Sequence, residues 1–362
     1  LAASPSTLSS VFASAKAGDS VVLSAGSYGS FKGGSKSGLV TVKAAPGASV
    51  SMSIAFNPAV NVRVQGVTVT GLDIGGASHD VTVADSTFTG MALIRANQMV
   101  NANVVLDHNT HANQNVCSGC FEGRVDITGQ GSGPSGVVIK NSTFGPGGNA
   151  DGIQTGGYGV QILNNEFTGI YESAGIHTDA IQLYGQKQTV IRGNWIHGTS
   201  SGIMAPDGGN QELIENNVID PGSYPYAITL GADKGSIIRH NTLPDGACAW
   251  NLRCGIINLT SKDSANPSTG TIVTDNVLGE LALSNGSSGA GQDYNLLQNG
   301  ALRGLHDLRG TPTYTGGAKP TTYAGYALKP GSPGTTNATD GTNRGINPTT
   351  STDPNPTPTP TP

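Results

Sequence analysis

The sequence predicts an all-β fold, a parallel β-helix, on three observations. The 362 residues include 53 glycines and only 5% aromatics, with few strong helix formers. Eight segments, "VTVADSTF", "VVLDHNTH", "VVIKNSTF", "VQILNNEF", "TVIRGNWI", "ELIENNVI", "SIIRHNTL" and "TIVTDNVL", share alternating β-branched positions followed by Asn or Asp and a further apolar residue. Alternation at period two marks strands. Their polar residues Asp85, Asn109, Asn141, Asn165, Asn194, Asn217, Asn241 and Asn276 succeed one another after 24, 32, 24, 29, 23, 24 and 35 residues. A coil of 23 or 24 residues with a recurring asparagine implies that the polar residues stack as a hydrogen-bonded ladder at a tight bend.

The elements follow in chain order. Leu8, Val11, Phe12 and Ala15 lie at helical spacing after "SPS", which predicts a short capping helix over the apolar mouth of the first coil. "AGDSVVLSAGSYGSF" then opens the strands, and the coils continue to about residue 280. An irregular segment closes a domain spanning 1–347, and residues 348–362, ending "STDPNPTPTPTP", read as an extended Pro/Thr linker to a further module. A net charge of −5 with scattered Lys and Arg gives no basic stripe, so nucleic acid is not an expected partner. No apolar run has membrane-spanning length, and no membrane partner is expected. The first residues lack a charged start and an apolar core, so any export signal is expected to have been removed. Cys117/Cys120 in "CSGC" and Cys248/Cys254 in "CAWNLRC" read as two loop disulfides, with a redox or zinc site as the alternative for the first pair. Disulfides and linker together predict a secreted, extracellular monomer.

A capping helix followed by "GDSVVLSAGSY" and then coils resembles the secreted right-handed β-helix proteins of the pectate-lyase-like group. Within that group the opening is most similar to polysaccharide lyase family 6, the alginate lyases and chondroitinase, and "YALKPGSPG" at 326–334 is similar to the way such chains close. The resemblance implies a right-handed solenoid over residues 6–280 acting on polysaccharide. That family's lysine and arginine catalytic motifs have no counterparts at matching positions, so its residue roles are not carried over.

Superimposing the coils picks out a candidate site. Leu93, Val125, Ile153, Ile181, Ile203, Ile228 and Ile256 form the expected inward column. The preceding residues, Ala92, Arg124, Gly152, Ala180, Gly202, Ala227 and Gly255, are then expected to face outward as a floor of tiny side chains that Arg124 alone interrupts. The following residues read Ile94, Asp126, Gln154, Gln182, Met204, Thr229 and Ile257, polar only in the middle coils. At the bend before the strand, Asp151 and Asp179 fall on successive coils, beside inserted loops that could wall a cleft. Carboxylates one strand spacing apart, roughly 4.8 Å, repel by about 3 kcal/mol at an effective dielectric near 20. Either one of them is protonated near neutral pH or a cation lies between them. A plain turn role for both aspartates is the alternative.

Three functions fit these residues. β-Elimination on a polysaccharide needs a uronate neutralised by Arg124 or by a metal on Asp151 and Asp179, calcium rather than zinc given oxygen ligands. Its base would be His177, Lys187, Tyr171 or Tyr184, with Gln154, Gln182 and Asp126 binding substrate. The phrase at 151–152 is also similar to ones in calcium-dependent pectate lyases and in alginate epimerases of this fold. Glycoside hydrolysis would use Asp151 and Asp179 as the carboxylate pair. A carbohydrate-binding stalk or adhesin would need aromatic platforms, for which Trp250 is a candidate and Trp195, at a core-like position, is not.

Overall fold

The computed structural model describes residues 1–117, 119–129, 131–173, 175–185 and 187–348, so the linker beyond Pro348 lies outside the described residues. Helix α1 (Leu8–Ser14) buries Leu8 and Phe12 over the first coil, as its spacing predicts, and Phe12 meets Phe31 edge-on at 5.1 Å. Strands then pair in parallel, coil upon coil. Among the described residues one sheet has 13 strands, running from Ala2–Ala3 to Gly289–Asp293. Each of its strands ends at a bend. After the bend a short strand (such as Glu166–Ile170) and then a further one (such as Ile181–Leu183) complete the coil in a second surface. One apolar core runs through the coils from Ala3 to Leu297.

The bends are built by two residues. The first takes a positive φ, as in Asp85, His108, Asn141, Asn164, Asn216, His240 and Asp275. Mostly short polar side chains occupy this strained conformation, because they can bond locally. The second residue turns inward as the ladder rung. Ser86 N–H donates to Asn109 Oδ1, Asn109 N–H to Ser142 Oγ, and Ser142 N–H to Asn165 Oδ1. Asn165, Asn194, Asn217, Asn241, Asn276 and Asn295 continue the chain with amide bonds of 2.9–3.1 Å. Asp85 and Asn141, expected as rungs, are therefore the positive-φ residues, and Ser86 and Ser142 are the rungs. Serine supplies the same short oxygen acceptor, which hides the shift from an asparagine count.

Asn217→Ala is expected to lower the stability measured by urea unfolding by about 3 kcal/mol, since it strips buried backbone groups of partners. Asn141→Gly, at φ 51°, is expected to change it by less than about 1 kcal/mol.

Two columns are shifted from their expected register. Ala92, not Leu93, lies opposite Val125, and Ile257, not Ile256, lies opposite Ile228, because a bulge between Tyr226 and Ile228 absorbs one residue. The outward polar column is accordingly Leu93, Asp126, Gln154, Gln182, Met204, Thr229 and Asn258. The tiny column is buried rather than an outer floor. A Cβ on Gly152 would lie 2.7 Å from the Phe167 ring, and one on Gly202 would lie 2.7 Å from Ile219. These positions are small because the chain bends over the stack of Phe88, His111, Phe144 and Phe167, whose rings follow at 4.3, 4.6 and 4.8 Å. Both disulfides, Cys117–Cys120 and Cys248–Cys254, are present. Trp195 is only partly buried, because it packs at the edge of a second cluster formed with Tyr314, Tyr326 and Leu328 of the closing segment.

Candidate functional site

The stacking of Asp151 on Asp179 follows directly from coil registration. Gly123 pairs with Asp151, and Ile153 pairs with Ile181 on the next coil. Asp151 Oδ1 accepts the backbone N–H of Asp179 at 2.7 Å, and Ser201, one coil further, bonds Asp179 Oδ1. Asp179 is 0% exposed, which withdraws it from contact with a polymer in the groove. Its other oxygen, Oδ2, faces His177 Nδ1 at 3.2 Å, and that imidazole has 58% of its side-chain surface in solvent. A buried carboxylate therefore holds an exposed imidazole.

The charges sort accordingly. The contact with Asp179 raises His177 to about 9, so at neutral pH it is a fixed imidazolium rather than the base expected from its position. Burial first, and then the Asp179 charge, push Asp151 up to about 8, leaving it a carboxylic acid at neutral pH. Gln154 Nε2 donates to Glu122 Oε2 at 3.1 Å, lies 3.4 Å from Asp151 Oδ2, and bonds Gln182 Oε1. One amide thus ties an exposed carboxylate, a protonated one and the neighbouring coil. Asp126 is buried, with Oδ2 accepting Gly123 N–H at 3.2 Å and Oδ1 without a partner among the described residues. Burial raises it to about 7.

Other candidates lie apart. Arg124 is 0% exposed and donates to the carbonyls of His111, Gly147 and Ala150 at 2.8, 2.8 and 3.2 Å. It sits in the buried column, so it cannot neutralise a substrate carboxylate, and neither Glu122 nor Asp126 pairs with it. Lys187 lies beyond the opposite end of the strand from Asp179, over the Tyr158 ring at 4.3 Å. Tyr184 donates to the Ile127 carbonyl at 3.3 Å, and burial raises it to about 12, so it does not serve as a base. Tyr171 is exposed in the loop that carries His177. Trp250 is exposed and meets Tyr224 edge-on at 5.1 Å. Burial first, then Tyr226 and the Asp179 charge, raise Tyr224, and its contact with Trp250 brings the 248–254 disulfide loop to the same flank. Sequence reading missed Tyr224 and weighed Glu122 only as a weaker candidate pairing with Arg124, although "YPY" and the loop before Gly123 flank the acid coils.

Asp151 Oδ1 is taken up by an amide and Asp179 Oδ1 by Ser201, and calcium takes 6–8 oxygens, so these two carboxylates alone do not hold it. No group of three or more His, Cys, Asp or Glu side chains suited to a metal occurs among the described residues.

The family profile described as right handed beta helix region matches residues 55–243 and again 125–296. No curated protein sequence matches. Among solved structures, the PL6 family alginate lyase AlyGC superimposes with a TM-score of 0.56 at 13% identity, covering 91% of this chain and 57% of that one. A PL6 alginate lyase in complex with a trisaccharide gives 0.54 at 16%, covering 82% and 77%. The alginate lyase AlyF-OU02 gives 0.50 at 16%, covering 78% and 70%. At such identities these likenesses speak for the fold. With parallel strands, an asparagine ladder and a profile match over more than half its length, the chain belongs to the right-handed β-helix family.

Proposed function

We propose that the protein is a secreted polysaccharide lyase that cleaves a uronate-containing polysaccharide by β-elimination. The observation that carries this reading is the His177 imidazolium, exposed yet fixed by the buried Asp179. Elimination beside a uronate needs its carboxylate neutralised so that the adjacent C–H becomes acidic, and an imidazolium at the groove wall supplies that charge. Glu122, the exposed carboxylate across Gln154 from Asp151, takes the C5 proton. The electron pair forms the C4–C5 double bond, the C4–O bond breaks, and the departing oxygen takes its proton from water, since Asp151 is only 3% exposed. Gln182 and the aromatic wall of Tyr224 and Trp250 position the chain. Both disulfides support secretion, and among the described residues no helix is long and apolar enough to cross a membrane.

The alternative of hydrolysis by Asp151 and Asp179 loses support because Asp179 is inaccessible. Hydrolysis by Asp151 with Glu122 meets the same obstacle, since Asp151 is 3% exposed, although both carboxylates border one amide nitrogen. Incubation with a panel of polyuronates, with and without chelator, separates the two. The expected result is enol-ether absorbance rising together with reducing ends, insensitive to chelator, with activity lost as pH rises through about 9 and His177 loses its charge. Reducing ends without absorbance would replace elimination by hydrolysis, and retention without product would leave a binding module.

A further inference from the structure

We infer that the groove takes an internal stretch of a polyuronate, with Phe121 and Trp250 as stacking platforms at its two ends, so that the bond cut lies inside the polymer chain. This deepens the reading of a polyuronate groove and rests on it. The loops that lead into the strands of the acid coils stack one upon the next into a wall. Val116 N–H donates to Asn149 Oδ1 at 3.0 Å, and Asn149 Nδ2 donates to Ser173 Oγ at 2.9 Å. Glu172 N–H, in the loop that carries His177, bonds Ser200 Oγ at 2.6 Å. Ser223 Oγ then donates to the Ser200 carbonyl at 3.1 Å, and Ala249 N–H to the Ser223 carbonyl at 2.9 Å. Among the described residues the wall runs from the coil of strand Gly123–Ile127 to that of Ile256–Thr260, five strand spacings or about 24 Å.

Each end of the wall is a disulfide loop that presents one exposed ring. Phe121 follows the Cys117–Cys120 bridge and is 47% exposed, and Trp250 lies within the Cys248–Cys254 bridge and is 65% exposed. Neither ring belongs to the apolar clusters of the described residues. Trp250 also holds a φ of 60°, a left-handed backbone that bulky residues rarely adopt and that glycine fills without strain. The surroundings impose it. The disulfide, a 3.0 Å bond from Cys248 N–H to the Leu252 carbonyl and the Arg253–Asp245 ion pair close the loop, and Tyr224 braces the indole edge-on at 5.1 Å. A rigid indole held in solvent by a strained backbone serves a ligand contact rather than packing. Its flat apolar face matches the C–H face of a sugar ring. His177 stands between the platforms, on the coil of Asp179, two spacings from the Phe121 end and three from the Trp250 end. A spacing of about 4.8 Å is close to the advance of one pyranose unit, so about two units lie on one side of the imidazolium and about three on the other. A chain gripped on both sides of the reacting unit is cut internally.

The test measures binding apart from turnover, by calorimetry on His177→Gln with saturated di- and hexasaccharides of mannuronic and of galacturonic acid. One hexauronate is expected to bind at least about 100-fold tighter than its diuronate, the sum of the two platforms. Trp250→Gly, which suits the local φ, and Phe121→Ala should each weaken the hexauronate about three- to tenfold and leave the diuronate unchanged. Trp250→Phe should recover most of the loss, which separates a missing ring from a disturbed loop. With His177 restored, the same two substitutions should raise KM for the hexauronate while kcat holds. The viscosity of the polymer should fall well before double bonds accumulate. Affinity independent of length, equal losses on both probes, or viscosity falling only in step with double bonds would overturn the proposal and leave elimination standing. Length dependence and platform losses without any double bond formed by the unmodified protein would uphold the two-platform groove and remove elimination alone.

Discussion

His177→Gln is expected to lower kcat/KM on a polyuronate by about 100- to 1000-fold, the range seen when one preorganised charge or donor is removed from a developing anion. Glutamine keeps an N–H that can face Asp179 Oδ2, so a buried oxygen is not left bare, and the melting temperature should shift by no more than a few degrees. Asp179→Asn tests how the imidazole is held. Asp179 is a positioning residue, because it is buried and acts through His177. Its loss should return the imidazole towards the ordinary histidine value near 6.5, moving the alkaline limb of activity down from about 9. A merely structural aspartate would leave the limb in place. The stability profile gives an independent reading. His177 is raised, so its contribution is complete below about 6.5 and is lost as pH rises through about 9. Asp151 is also raised, so the unfolded chain ionises first and stability falls between about 4 and about 8. Both slopes point the same way, and the melting temperature should decline from pH 5 to pH 9, with the upper part of the decline flattened in His177→Gln. An alkaline limb unmoved in Asp179→Asn, together with turnover retained in His177→Gln, would remove the imidazolium from the mechanism.

The solenoid and its acid stack were legible because both depend on spacing. Asp151 and Asp179 meet for the same reason that Ile153 and Ile181 do, and a repeat of hydrophobic positions carries that information without coordinates. What the sequence left hidden depends on single-residue displacement. The bulge at Tyr226 moves Ile256 out of the column and brings Ile257 into it, yet both are isoleucine. Ser86 and Ser142 stand as rungs beside the more conspicuous Asp85 and Asn141, since any short oxygen acceptor will serve. The facing of the tiny column was misread because alternation holds within a strand but fails at the bend that feeds it. There the chain folds over the aromatic stack, and smallness reports a close approach of Phe167 rather than an open floor. The role of His177 depends on a 3.2 Å contact made by a loop, which no repeat encodes.

Arg124 carries the other large expectation. Arg124→Met should lower stability by about 3–5 kcal/mol, more than any ladder substitution, because several buried carbonyls lose their donor at about 1–3 kcal/mol each, while folded molecules keep their activity. Its guanidinium is enclosed and finds no carboxylate at hydrogen-bond distance. It is solvated instead by the carbonyls of His111, Gly147, Gly148 and Ala150, at 2.8, 2.8, 3.4 and 3.2 Å. Burial lowers it only to about 10, so it remains charged at neutral pH. Burial first, and then that charge, keep His111 neutral in the phenylalanine stack, depressed to about 3. Methionine fills comparable volume but leaves four carbonyls facing a thioether, and the 145–150 loop that precedes Asp151 keeps only its backbone bonds to the coil below. Lysine offers a single point donor in place of a planar fork, so Arg124→Lys should recover only part of the loss. Urea unfolding together with turnover per folded molecule decides the matter. Were Arg124 the uronate-binding cation, the pattern would invert, with activity abolished and unfolding unchanged, because a groove-facing guanidinium gives up water rather than buried carbonyls.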